Sequence, residues 1–238
     1  MRPENPTAAP DHLRATRLAL QAVAEHVLAA ALHQATGHIG LRAGPGGITT
    51  PPFPWSGPAG EPAERTIAVV GTELVVRDGV QERRAPLTTL RAAGELAGIT
   101  PGAPSDVYTP ATPLTLDAQL PVDPAAAARL AAWYALVAGA LARFGDEATA
   151  TGHAEAPIVQ LWPEHFDLAT SIDEVNYGGS PGDDAHPVPY LYVGPWTLPA
   201  PADEFWNEPF GASRAEGAVA TVDDAVAFFR EGRTRLVG

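Results

Sequence analysis

The chain of 238 residues contains no cysteine. That removes thiol nucleophiles, thiolate metal ligands and disulfides from any functional reading. It contains no lysine either, since all 15 basic residues are arginine. Without an ε-amino group there is no Schiff-base chemistry, no lysine-held pyridoxal phosphate and no Walker A loop. Positive charge is short overall: 28 acidic residues leave a net charge of −13. A surface so acidic repels phosphate backbones and anionic lipid, so neither nucleic acid nor a membrane surface is an expected partner. No apolar run approaches the length of a membrane span, and the polar, Pro-rich N-terminus lacks the apolar stretch of a signal peptide. A soluble, cytoplasmic protein is expected. The arginine-only, alanine-rich usage points to a GC-rich bacterial genome.

What is present reads as one α+β domain. Residues 11–36 carry Leu13, Leu20, Val23, Val27, Leu28 and Ala31 at helical spacing, with Gly37 placed as a C-cap. His38 to Arg42 alternates like a half-buried strand. Residues 65–86 carry the clearest β signal, with Gly71-Thr72 and Asp78-Gly79 as turns, and read as a three-stranded antiparallel meander. A short helix is predicted over 88–97. The stretch Pro113–Val122 is extended. A second long helix is predicted over 124–144, capped by Asp123, started by Pro124 and ended by Gly145. Residues 158–171 read as β broken at Pro163, and 188–193 as a strand with Tyr190 and Tyr192 on one face. A last helix over 222–235 has Thr221 and Asp224 as its capping box. The expected organisation is a disordered tail over 1–10 and a single domain over 11–238. An antiparallel sheet with a hairpin meander packs against two or three helices, and long Pro/Gly-rich loops lie near 44–63 and 195–217.

Two constellations carry candidate chemistry. In Glu164-His165-Phe166-Asp167, a strand would send Phe166 and Leu168 to the core and His165 and Asp167 to the other face. An imidazole beside a carboxylate suits a divalent metal or an acid–base pair. It equally suits a solvated or locally hydrogen-bonded pair. In Ser180-Pro181-Gly182-Asp183-Asp184-Ala185-His186, Pro then Gly specifies a type II turn. Asp183, Asp184 and His186 would complete a metal set with His165 and Asp167 if the two clusters meet. The alternative is a turn whose Asp side chains bond the local backbone. Gly178-Gly179-Ser180-Pro181-Gly182 matches G-x-S-x-G, but Pro181 has no N–H for an oxyanion hole and no helix follows, so the nucleophile reading is rejected. His26 and His33 lie seven residues apart, not at the i, i+4 spacing of helical metal ligands, and are expected to be exposed or partly packed. Glu25 beside His26 leaves that expectation unchanged. The second half is rich in Trp and Tyr, a core or a ligand-pocket lining.

Several segments also occur in one order in a family of uncharacterised bacterial proteins known only as a domain of unknown function. They are Gly37-His38-Ile39-Gly40-Leu41, Gly47-Ile48-Thr49-Thr50-Pro51, Glu82-Arg83-Arg84-Ala85-Pro86-Leu87, Phe166-Asp167-Leu168-Ala169, Ser180-Pro181-Gly182 and the Tyr-rich strand ending in Pro195. The chain resembles that family over roughly residues 15–200. The resemblance implies one domain and no particular activity. In that family the Phe-Asp-Leu-Ala stretch is shared more broadly than the preceding histidine, where serine also occurs, which favours Asp167 over His165.

Two functions compete. With no lysine, no cysteine and no strong catalytic motif, the expected function is a non-catalytic binding or interaction module for a small-molecule or protein partner. The alternative is a metal-dependent or acid–base hydrolase-like enzyme using Asp167 and His165 with Asp183, Asp184 or His186. No cofactor follows from the sequence beyond a divalent metal in that second case.

Overall fold

The computed structural model describes residues 10–56, 60, 62–150, 158–198 and 204–237. The expected tail therefore falls, up to residue 9, outside the described residues. Pro10 opens helix α1 (Pro10–Val23), which passes through a π-helical stretch (Ala24–Ala29) into α2 (Ala30–Thr36). The predicted stripe is its buried side, and Gly37 ends it at φ 76 with its N–H on His33 O. Strands β1 (Arg42–Gly44), β2 (Gly47–Thr49), β3 (Phe53–Ser56), β4 (Pro62–Val70), β5 (Glu73–Asp78) and β6 (Gln81–Pro86) follow, then α3 (Leu90–Ala97) and α4 (Pro124–Ala150). The rest is β7 (Gln160–Trp162), β8 (Asp167–Ile172), β9 (Val175–Ser180), β10 (Tyr190–Pro195), β11 (Ala212–Ala215) and α5 (Val222–Val237).

The class is α+β, and the β4–β5–β6 meander lies where it was predicted. The antiparallel strands form two sheets, ordered β1-β2-β4-β5-β6 with β3 also on β4, and β11-β10-β9-β8-β7. The segment 44–63 is not simply a loop. β2 and β3 pair in succession with β4, opposite residues 68–70 and 62–65. Thr50 bridges the gap between them: its N–H donates to Ile67 O (2.9 Å) and its hydroxyl accepts from Ile67 N–H (3.0 Å). Proline is tolerated there because short edge ladders leave its missing N–H uncontested.

The caps behave as read. Asp123 Oδ1 accepts from Ala126 N–H at 2.9 Å. Thr221 and Asp224 exchange their reciprocal bonds, Thr221 N–H to Asp224 Oδ2 (2.9 Å) and Asp224 N–H to Thr221 Oγ1 (3.2 Å). Helix α4 does not stop at Gly145. Phe144 and Ala148 are both buried, and Arg230 of α5 holds Glu147 at 2.7 Å, so tertiary packing carries the helix past a weak helix former. The same helix corrects the expectation about apolar runs. By length and composition it is able to cross a membrane, with a mean hydropathy of 1.5 over its most apolar window. That window is 44% buried inside the protein.

By its contacts the chain divides into two compact units, Met1–Ala132 with Trp162–Phe166, and Trp133–Leu161 with Asp167–Gly238. In the first, α1, the π-helical stretch, α2 and α3 accompany the sheet that contains the meander. Its Arg65 is only 3% exposed at its side chain. It grips both oxygens of Asp78 (2.5 and 2.9 Å), donates to Ala97 O (2.8 Å) and stacks 3.3 Å from the centre of the Trp55 ring. In the second unit one face of the sheet packs on α4 and α5. Phe144, Tyr177 and Phe229 meet there at centroid distances of 4.7, 5.7 and 5.9 Å. Each such pair contributes about 0.5–1.5 kcal/mol beyond its area.

Candidate functional site

The other face of the second unit's sheet is polar, and strand register decides which side chains share it. Leu168 pairs with Gly179, and Gly179 with Leu191, so these point at the helices. The alternate set of Asp167, Gly178, Ser180, Tyr190, Tyr192 and Ser213 shares the opposite face. The adjacent glycines serve different faces. A Cβ at Gly179 would lie 2.5 Å from Val137 Cγ2 of α4. A Cβ at Gly178 would lie 2.5 Å from both Cζ and Oη of Tyr192. Tyr192 thus lies flat across β9, and its hydroxyl reaches β8 to donate to Asp167 Oδ2.

A second set of bonds adjoins this one. Tyr190 Oη donates to Asp183 Oδ2 at 2.7 Å. Asp183 Oδ1 accepts from the N–H groups of Ala185 (2.8 Å) and His186 (2.7 Å). Gly182 takes the positive φ, 97, that the Pro181-Gly182 reading requires, Asp183 N–H bonds His186 O at 2.7 Å, and the Asp183 side chain bonds its local backbone as that reading allowed. His186 Nε2 stands 2.8 Å from Glu208 Oε1, and since a carboxylate only accepts, Nε2 carries the hydrogen. Ser213 Oγ donates to the same oxygen at 2.7 Å. His186 Nδ1 is 3.5 Å from Asp183 Oδ1, and the imidazole packs on Tyr190 at 4.7 Å and Phe210 at 6.4 Å between centroids.

Burial, reinforced by the neighbouring carboxylates, pushes both tyrosine hydroxyls far above their ordinary range, so they stay protonated donors. For Asp183 burial acts upward. The Tyr190 hydroxyl and the two backbone N–H groups outweigh it and hold the carboxyl below the usual range. The charge around this face is one-sided. No arginine occurs between Arg143 and Arg214, a stretch with twelve acidic residues.

Of the predicted residues, Asp183 and His186 come together and Asp167 lies on the same polar face. His165 does not share a strand with Asp167. Residues 163–166 form a turn closed by Phe166 N–H on Trp162 O at 2.7 Å, so the alternation that placed the two side by side does not apply. Phe166 sits at φ 56, at a cost of about 1–2 kcal/mol, and its buried ring offsets that strain. His165 itself is exposed, as is Asp184. Among the described residues no group of three or more His, Asp or Glu side chains is arranged to hold a metal ion. Glu208 carried no signal in the sequence, being 22 residues from His186.

The first unit holds a polar cluster that the expectation of exposed or partly packed histidines missed. Glu25 and His26 are 0% and 2% exposed, both inside the π-helical turn. Glu25 Oε1 accepts from Ala111 N–H (2.7 Å), and Oε2 from Thr112 N–H (2.9 Å) and the Thr112 hydroxyl. His26 Nδ1 accepts from Ala103 N–H at 3.1 Å, which leaves the ring hydrogen on Nε2 to donate to Thr112 O at 3.0 Å. These bonds anchor the irregular segment 102–112, which has no ladder of its own and turns at 104–108. Burial, with Glu25 and Glu164 nearby, pushes the Tyr108 hydroxyl upward as well. A π-turn sets two consecutive polar residues inward, which the 3.6-residue period cannot foretell.

Comparison with protein-family models, with curated proteins and with solved structures finds no match to this chain.

Proposed function

We propose that the protein is a non-catalytic binding module and that its binding surface is the tyrosine-lined polar face of the second unit. One observation carries this reading. The carboxylates gathered there are engaged by donors of the same chain, Asp183 by Tyr190 and two N–H groups, Glu208 by His186 and Ser213, and Asp167 by Tyr192, and the Nδ1 lone pair of His186, which has no such donor, is buried. Such a lattice holds a surface in shape, whereas a general base needs a lone pair within reach of a substrate proton. The absence of lysine and cysteine from the chain agrees with it. A soluble protein of the bacterial cytoplasm, related to the uncharacterised family it resembles, is part of the same proposal. It is supported by arginine-only usage and a net charge of −13.

A second reading, an acid–base hydrolase, draws on His186 held between Glu208 and Asp183. Turnover assays on ester, amide and phosphoester substrates separate the two. We expect no turnover above background, and none that Asp167→Asn or His186→Gln alters. Hydrolysis abolished by either substitution in a folded protein would overturn the binding reading.

A further inference from the structure

Resting on the binding reading above, we propose that the open end of this face docks a basic, extended polypeptide segment of a partner protein. Strand alternation sends Tyr190, Tyr192 and Trp196 to one side of β10 and its continuation, a strip about 20 Å long at the rise of a β-strand. The strip is closed by packing at one end and open at the other. Trp196 is 66% exposed, held by its N–H on Glu174 O (2.9 Å) and its indole Nε1 on Asn176 Oδ1 (3.4 Å). Phe210, 38% exposed, packs on Tyr190 and His186 at the opposite end, at 6.5 and 6.4 Å between centroids.

Charge identifies the occupant. All five arginines of the second unit are already ion-paired. Arg143 and Arg230 serve Glu147 and Asp223, Arg214 and Arg235 serve Glu231, and Arg233 serves Asp173. They lie on the helices or on the helix side of β11. Glu174, beside Asp173 at the hairpin tip, and Glu204, just before the turn that carries Phe210, are both exposed. Neither has a cation partner among the described residues. Exposed aromatic rings beside carboxylates without a cation are the surface that attracts guanidinium and ammonium groups. The strip is linear, with the exposed rings of Trp196 and Phe210 toward its two ends, so it suits side chains spaced along an extended backbone better than a single small cation.

The test is fluorescence anisotropy of a fluorescein-labelled peptide of alternating Arg and Gly, titrated with the full chain, with a Glu–Gly peptide as control. We expect saturable binding of the basic peptide alone. Trp196→Ala should weaken it about tenfold and Glu174→Gln about threefold, while Glu95→Gln on the first unit leaves it unchanged. Both site variants change exposed side chains, and circular dichroism confirms that they fold. Absence of binding overturns the proposal. So does equal weakening by all three substitutions, which marks mere attraction to an acidic protein. Arginine amide binding as tightly as the peptide, with the same sensitivity to Trp196→Ala, would assign the face to small cations instead. Failure on any of these counts, with no hydrolytic turnover, removes the partner assignment and leaves the binding reading standing.

Discussion

Gly178→Ala is the substitution that most directly probes how the site is built. Gly178 has no positive φ, so alanine is conformationally acceptable there and the cost is steric. The new methyl would sit 2.5 Å from Tyr192 Cζ and Oη and 2.8 Å from Leu168 O. Overpacking of this kind costs about 1–3 kcal/mol. Lifting the ring off β9 also breaks the hydroxyl bond to Asp167, worth about 1.5–3 kcal/mol for a charged acceptor. Against these stands a gain of about 0.5–1 kcal/mol from replacing glycine inside a strand. The steric and polar terms win, and a net loss of about 2–5 kcal/mol is expected. Tyr192→Phe alone removes only the bond. If the reasoning holds, the two substitutions share that bond, and the double variant loses about 1.5–3 kcal/mol less than the sum of the singles. Urea denaturation followed by near-ultraviolet circular dichroism measures all three. A neutral Gly178→Ala, or strictly additive losses, would show that Tyr192 is not held across β9 by Asp167.

Two further outcomes are expected. Glu25→Gln keeps the shape of a fully buried side chain but turns an NH2 toward backbone donors at Ala111 or Thr112. We expect a loss of about 2–4 kcal/mol, seen as a fall of roughly 5–15 °C in Tm, and a shift within a degree of wild type would refute the anchoring role of Glu25. Asp183 is held below its ordinary range, so its contribution is present above its unfolded value, near about 3.9, and is lost as pH falls through the lowered folded value. Tyr190→Phe removes the foremost lowering interaction while burial persists. Acid unfolding should then begin at higher pH than in wild type, and an unshifted acid limb would contradict the assignment.

Features with local causes could be read directly. Asp123 caps α4 and Thr221 with Asp224 caps α5 because the partner N–H groups lie within one turn of chain. The meander follows from β-branched alternation and tight turns. The Pro181-Gly182 turn needs only its own two residues. Strand β9 carries no strand signal because Gly178 and Gly179 have little strand propensity, and both are there for the neighbours that close over them. The same distinction explains α4, which passes Gly145 because burial of Phe144 and Ala148 outweighs one glycine.

For the candidate site, the sequence alone determined that thiol and lysine chemistry are absent, that the charge is acidic, and that Asp183 and His186 share a turn. It also put Tyr190 and Tyr192 on one face. Only the tertiary structure decided that Tyr192 reaches Asp167, that Glu208 receives His186, that His165 stands in a turn, and that Glu25 and His26 are buried. The reason is one of range. Periodicity and capping act within a few residues, whereas a hydrogen bond between β8 and β10, or between a π-turn and a segment more than 80 residues away, depends on where the chain returns.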